Sequence, residues 1–518
     1  MTQTLLRPVV IGLACSLAII CAIGLITPAR ADTEQNDASA NALLNDVLNY
    51  VAEWLEQTIG TGSKIELASD ARAEPRGYKV QMLFPNPAIL GTIGNGLRMN
   101  DINATVIPEE NNEFTFSVNL PNGAEILGAG GAPEAELTWA DSNLSGLWRA
   151  DLESTTVLHG ALYDLRVTNP GQTSRSAAIR LGSLKVDQDL NEAADGLWNG
   201  SMILVMKNLD LAPPKNEASV FLREFSTQHR ANGLDLKAWL TLSEWANSLA
   251  PTVMADGSAP PLNIGEAIQI IKELNIGAGD SSLTIHDMHS EQGDERLFSL
   301  NELALGFEYD NNLRPGGYRL KLAWQELDIA NLGLGPSEFF PHTGSLDLGL
   351  ERFPARQIFL TMSSLAEASE NLKKLDGNQA VQLFALPLLH ANRTTINIEE
   401  LILESSAASI HVNGKLTAEA KSAMGAIGEA RVEIAGLDDL MATAAREALQ
   451  NESMQGVLAF LAIAKGFGRP EIASDNALVH VFEVLLPPNG RITINEIPLD
   501  LIMNSGQAQL KGGLEPLS

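Results

Sequence analysis

His286 and His289 stand three residues apart in "IHDMHS", with Asp287 between them. On a helix that spacing puts two imidazoles on one face, where they could share a divalent metal. Leu283 and Ile285 alternate just before them, which predicts an extended segment, and residues three apart on a strand point to opposite sides. The segment reads as strand rather than metal site. In "DQDLNE", Asp187, Asp189 and Asn191 match the opening ligands of a calcium loop. The loop then fails, because Glu192 stands where glycine is required and Trp198 where a bidentate glutamate is required. Gly333 and Gly335 lack the third glycine and the crossover context of a dinucleotide fingerprint. No phosphate loop, zincin helix or nucleophile elbow occurs, and no Ser, His and Asp set stands out. No catalytic, cofactor or metal residue is therefore assigned, and the chain reads as non-enzymatic.

The N-terminus carries an address. Arg7 precedes an apolar run over 9–26, and Ala29 and Ala31 form a small-x-small cleavage pattern before acidic "DTEQND". This is the grammar of an export signal over 1–31, and the expected location is the periplasm, with an uncleaved inner-membrane anchor as the alternative. Cys15 and Cys21 both lie in that segment, so the processed chain has no disulfide and no thiol nucleophile. No later apolar run is long enough to span a bilayer; Lys465 interrupts the closest, 456–468. The net charge is −29, and loss of residues 1–31 removes Arg7 and Arg30 and no acid, leaving −31. Such a surface repels nucleic acid and anionic head groups. Any contact with lipid must use apolar surface instead.

The elements follow from periodicity. Residues 40–60 repeat Leu44, Val47, Leu48, Val51, Leu55 and Ile59 at helical steps and end at Gly60. The period then becomes two. Tyr78, Val80, Met82 and Phe84 share one strand face, and Phe114, Phe116, Val118 and Leu120 another, with Thr115, Ser117 and Asn119 opposite. Turns are expected at 108–113, 120–125 and 187–196. Helices are expected at 263–277 and 364–377, each with capping-box spacing and a terminal glycine, and Pro387 should end or kink the run that follows.

Strand groups recur through the middle, and three end in a Leu-Asp phrase at Leu209, Leu327 and Leu437. The phrase reads as strand exit plus cap, and it marks a degenerate long repeat. The expected fold is α+β, mainly antiparallel β: an elongated curved sheet of repeated strand groups with helices packed on one face. The expected organisation is a signal (1–31), an N-terminal helix (32–60) and one β-rich body (61–518), with soft joints near 128–133 and 251–261.

The early hairpin "INATVIPEENNEFTFSVNLP" and the late run from "VNGKLTAEAKSAMGAIGEARVEIAGLDDLM" to "LLPPNGRITINEIPL" carry a resemblance. With the export signal, they resemble an uncharacterised alphaproteobacterial envelope family, family 2125 of the domains of unknown function. More loosely, the strand repetition is similar to AsmA-like envelope proteins. The first resemblance implies a secreted β-rich protein without an assigned activity. The second implies a long sheet with an apolar face linked to lipid transport, although this chain is acidic, shorter and without a secure anchor.

The expected role is non-enzymatic binding of lipid or another apolar envelope component along a sheet surface, without cofactor. The candidate lining is Phe114, Phe116, Val118, Tyr318, Leu320, Leu322 and Trp324. The alternatives are a scaffold that binds an envelope protein through a sheet edge, and a hydrolase with a dispersed site.

Overall fold

The computed structural model describes residues 40–45, 47–49, 63–91, 95–152, 154–168, 178–193, 195–212, 218–241, 276–293, 295–311, 315–329, 337–358, 360–361, 385–449, 453–472 and 478–501. The expected export signal, Gly333 and Gly335, the expected joint at 251–261 and the expected helix at 364–377 fall outside them. So does the expected helix at 263–277, except for 276–277, which begin a strand. Every strand pairing detailed below is antiparallel, and helices are few among the described residues. Packing divides the chain into two compact units: residues 1–277 with 291–293, and 278–290 with 294–518.

The first unit opens with helix α1 (40–49), of which Ala40, Leu43, Leu44 and Val47 are buried. Ten strands follow: β1 (Lys64–Glu66), β2 (Arg72–Arg76), β3 (Lys79–Phe84), β4 (Ala88–Leu90), β5 (Gly96–Met99), β6 (Ile102–Pro108), β7 (Glu113–Asn119), β8 (Gly123–Leu127), β9 (Pro133–Thr138) and β10 (Asp141–Arg149). The four longest are β11 (Ser154–Thr168), β12 (Ile179–Glu192), β13 (Trp198–Leu211) and β14 (Ser219–Leu234). Successive hairpins alternate between two leaves. One leaf runs β2-β3-β6-β7-β10 and the other β1-β4-β5-β8-β9.

Both leaves spring from one edge of β11. Its first part, Ser154 to Tyr163, pairs with β10, and its last part, Arg166 to Thr168, pairs with β9. Its other edge continues to β12, β13 and β14. The leaves close on a single core that takes Val80, Met82 and Phe116 from one, Ile89, Leu97 and Ile126 from the other, and α1 as well. Gly146 in β10 is required there, because a Cβ would stand 2.8 Å from the Phe116 ring and 2.3 Å from the Val157 carbonyl.

Three local expectations change. Tyr78 is 68% exposed, because it belongs to the two-residue Gly77-Tyr78 turn between β2 and β3 and not to the buried face of β3. Residues 120–125 do not make a hairpin: β7 and β8 lie in different leaves, so this segment crosses the core edge. Residues 128–133 are the tight turn of the β8–β9 hairpin, with Gly130 and Gly131 at positive φ, rather than a joint between bodies.

The Leu-Asp phrase has a backbone cause. A residue in the left-handed region precedes each leucine: Asn208 (φ 55), Glu326 (φ 53) and Gly436 (φ 73). Asp164 (φ 52) does the same before Leu165. Residues three apart on an unbroken strand face opposite sides, yet Leu162 and Leu165 are both buried in the one core. Leu184 and Leu181 flank Gly182 in the same way, and Met206 and Leu209, packed on that core, flank Asn208. Asp164, Gly182 and Asn208 stand opposite one another in the ladder. The three strands thus kink along one line, and the kink resets the alternation so that apolar residues on both sides of it face inward.

The phrase is therefore strand exit plus cap in only part of its copies. Leu209 continues β13. Leu327 leaves its strand and donates its N–H to the His342 carbonyl, beside a bridge from Asp328 to Ser299. Leu437 starts a helix whose N-cap, Gly436, makes no side-chain cap bond. Only glycine fits there, since a Cβ would lie 2.1 Å from the Ala407 carbonyl oxygen.

The second unit contains β15 (Ile276–Gln292) in part, β16 (Glu295–Asp310), β17 (Gly316–Gln325), β18 (Thr343–Phe353), β19 (Thr395–Glu404), β20 (Ser409–Ala418), β21 (Ala426–Ala435), β22 (Arg469–Ile472), β23 (Leu478–Leu486), β24 (Thr493–Ile494) and β25 (Ile497–Pro498). Strands β16 to β21 pair in chain order, and β23 pairs with β21. Helix α2 (Leu386–Asn392) has Pro387 in its first turn, so this proline starts a helix rather than ending one. Helices α3 (Leu437–Glu447) and α4 (Ser453–Phe467) bury Leu437, Leu440, Ala444 and Leu461 against each other, with Ile434 of β21 packed on that cluster.

Two substitutions test this frame. Phe116→Ala should cost about 3–5 kcal/mol, the usual loss for a fully buried phenylalanine. Asn208→Gly should be nearly neutral, whereas Asn208→Val should cost about 1–2 kcal/mol for a branched side chain forced to positive φ. Urea unfolding midpoints report both.

Candidate apolar binding surface

The sheet of the second unit has two chemically opposed faces. Residues directly opposite in neighbouring strands share a face. One row therefore runs Leu305, Leu322, Leu346, Leu401, Val412, Val432 and Phe482 across seven strands, β16 to β21 and β23. The next runs Phe307, Leu320, Leu348, Ile398, Gly414, Ala430 and Val484. Flanking rows contain Tyr309, Tyr318, Leu350, Ile396 and Leu416 on one side, and Leu303, Trp324, Leu403, Ile410 and Ile434 on the other.

No charged side chain interrupts these rows, yet they are not core. Leu305 is 39% exposed, Phe307 41%, Ile396 43% and Leu416 41%, and most of the remainder are half-buried. Phe116 in the first unit is 1% exposed. Among the described residues, α3 and α4 cover this face near Ile434.

Aromatic rings gather along the Tyr318 row. The Phe307 and Tyr318 rings lie 6.3 Å apart, and Phe353 meets Tyr318 edge-on at 5.9 Å. The Tyr318 hydroxyl donates to Asn311 Oδ1 at 2.7 Å, and the Trp324 indole N–H donates to the Pro341 carbonyl at 3.1 Å, so both polar tips are satisfied off the apolar rows. Burial pushes the Tyr309 and Tyr318 phenols above their ordinary values, Tyr309 with a further contribution from Asp280. Both stay neutral through the physiological range.

The opposite face is a ladder of ion pairs. The Arg319 guanidinium grips Asp347 with two bonds of 2.6 and 2.5 Å, and Lys321 meets Glu308 at 2.5 Å. Arg431 reaches Glu433, Glu471 and Glu483. A hollow of about 700 Å³ lies here, with Asn397, Lys415, Glu429, Arg431 and Glu483 in its wall. Its arginine is already committed to neighbouring carboxylates, and Ile398, Gly414, Ala430 and Val484 of the second row also line it.

The structure divides the expected lining. Tyr318, Leu320, Leu322 and Trp324 form one half-buried stripe of β17 on the open face. Phe114, Phe116 and Val118 are 5%, 1% and 2% exposed in the closed core of the first unit and offer no surface. Alternation made the two groups look alike; only the second leaf packed over β7 separates them. The larger part of the open face, from β18 to β23, escaped the sequence reading.

The chemical candidates resolve similarly. Asp187 and Asp189 lie within β12 rather than in a turn, which spans only the residues between Glu192 and Trp198. Register then creates a row the sequence did not suggest: Ser145, His159 and Asp187 are opposite one another on β10, β11 and β12. The His159 Nδ1 lies 2.9 Å from Asp187 Oδ1, but both side chains are more than half exposed. No hydrogen bond joins Ser145 to His159 among those described, so a nucleophile–base contact is not made. His286 stands 3.9 Å from Glu302, and no group of three potential metal ligands forms among the described residues.

Comparison with protein-family models, curated proteins and solved structures returns no match to this chain.

Two measurements check the two faces. In a chain whose Cys15 and Cys21 are replaced by serine, cysteine at Leu348 or Leu416 should react with a maleimide in the folded state, and cysteine at Phe116 should not. On the polar face, the hydrogen bonds from Arg319 hold the Asp347 carboxyl below its ordinary value despite partial desolvation. A depressed folded pKa adds stability above the unfolded value of about 3.9 and loses it as pH falls through the folded one. The stability gap between the parent and Asp347→Asn should thus be constant at neutral pH and close below about pH 4. Urea midpoints across pH read this gap.

Proposed function

We propose that this is an exported, non-enzymatic envelope protein that binds lipid through its acyl chains along the apolar face of the second-unit sheet. One observation carries the reading: four aliphatic-rich rows crossing seven strands with their side chains still partly open to solvent. Exposed apolar surface on that scale marks an interaction site. Its residues are mostly leucine, isoleucine and valine, which give non-directional contact suited to a flexible hydrocarbon. The rows contain no charged side chain to recognise a head group, so the expected ligand is defined by its chains. Each methylene transferred from water to such a face contributes about 0.8 kcal/mol.

The N-terminal pattern at 1–31 supports the envelope address, and the likeness to AsmA-like proteins agrees with lipid as the ligand. The net charge of −29 argues against nucleic acid. A scaffold working through a sheet edge is less well supported. In the first unit the terminal strand β1 has three residues, and β2 carries Pro75 between charged neighbours, features that discourage strand addition.

The test is mass spectrometry of lipid extracted from the protein after export and gentle purification. The parent should carry phospholipid in stoichiometric amount. Leu322→Asp with Leu348→Asp should lose most of it while keeping the parent circular dichroism spectrum. A folded, lipid-free parent would refute the reading.

A further inference from the structure

We propose that the outer face of α4 docks on the surface of a lipid bilayer. The helix, "SMQGVLAFLAIAKGF", holds a single charged residue, Lys465. Its inner side is accounted for, since Leu461, Leu458 and Met454 pack with α3. Its outer side is apolar too: Val457 is 36% exposed and Phe460 68%, one turn apart on the same face. A helix apolar all round is normally enclosed by protein or lipid, and this one stands at the surface of its unit.

Four observations select a bilayer as the occupant. With 15 residues, α4 is about 22 Å long, and no helix among the described residues is long and apolar enough to cross a membrane, so it lies along the interface. The antiparallel α3–α4 pair is anchored at its root by the Lys465–Asp438 ion pair, and Leu449, 87% exposed, follows α3 at the opposite end. A second copy of a chain bearing −29 would be repelled, whereas an uncharged bilayer is not. Ile434 belongs both to the apolar rows of the sheet and to the α3–α4 cluster, so a bilayer on α4 borders the surface assigned to acyl chains. That last link alone rests on the function proposed above; docking itself rests on α4.

The experiment uses the full chain with Cys15 and Cys21 replaced by serine and an environment-sensitive maleimide dye on Val457→Cys. Adding phosphatidylcholine vesicles should shift its emission to the blue. The shift should persist in high salt, because the contact is apolar, and a dye on Lys415→Cys should stay silent. Phe460→Asp should require at least about tenfold more lipid for the same shift, and Phe460→Ser should weaken it in the same direction. Leu322→Asp with Leu348→Asp should leave the shift intact, so failure of sheet-bound lipid and failure of docking are read separately. No shift, or an equal shift with Phe460→Asp, would overturn the proposal. So would a blue shift that grows with protein concentration without vesicles, which would assign this face to a second copy.

Discussion

Side chains alternate along a strand, so an amphipathic strand has one face that water disfavours and that something must cover. The organisation of this protein follows from how each unit meets that constraint. The first unit divides its sheet at β11 and folds two leaves onto each other, with α1 joining the shared core. Among its described residues, the second unit keeps its rows of leucine and isoleucine half-open, with α3 and α4 packed on them near Ile434. The same sequence grammar thus yields a closed core in one place and an accessible apolar surface in another.

Long strands make the constraint harder, because twist and bending shift which residues face inward. Asp164, Gly182 and Asn208 meet this along one line across three strands. Each interrupts the regular alternation and lets apolar residues three apart face one core. Asparagine and aspartate tolerate the left-handed region better than branched residues do, which explains their place before leucine. The recurrent Leu-Asp phrase is thus a backbone device whose outcome depends on context: strand continuation, strand exit or helix start.

The polar faces carry a different load. Arg149 is the centre of one network, reaching Glu113, Asp151 and Glu192 while its guanidinium lies over Trp198. Pairs such as Arg319–Asp347 are partly exposed, and exposed ion pairs add little stability individually. Their consistent placement on one face still matters, because a one-residue slip would bring charges onto the apolar rows. The polar face enforces the register that keeps the apolar face continuous. The Ser145, His159 and Asp187 row shows the same register at work: it lines up residues of catalytic type on an open sheet without making the contacts catalysis needs.

Much of the local structure was legible in the sequence. Period-two alternation identified β3 and β7, the recurrent strand groups included β16, β17, β19, β20 and β21, and helical spacing identified the start of α1, because these patterns are written in neighbouring residues. Fold class followed from the same patterns. Pairing order did not, since β11 meets β9, β10 and β12 through contacts that no local pattern encodes. Nor could Phe116 be told from Leu322, as both are apolar residues on alternating strands. The sequence by itself determined which residues dislike water and which side of each strand they share. The tertiary structure alone decided which of those sides is sealed by a second leaf and which stays open, because closure depends on long-range packing between strands far apart in the chain.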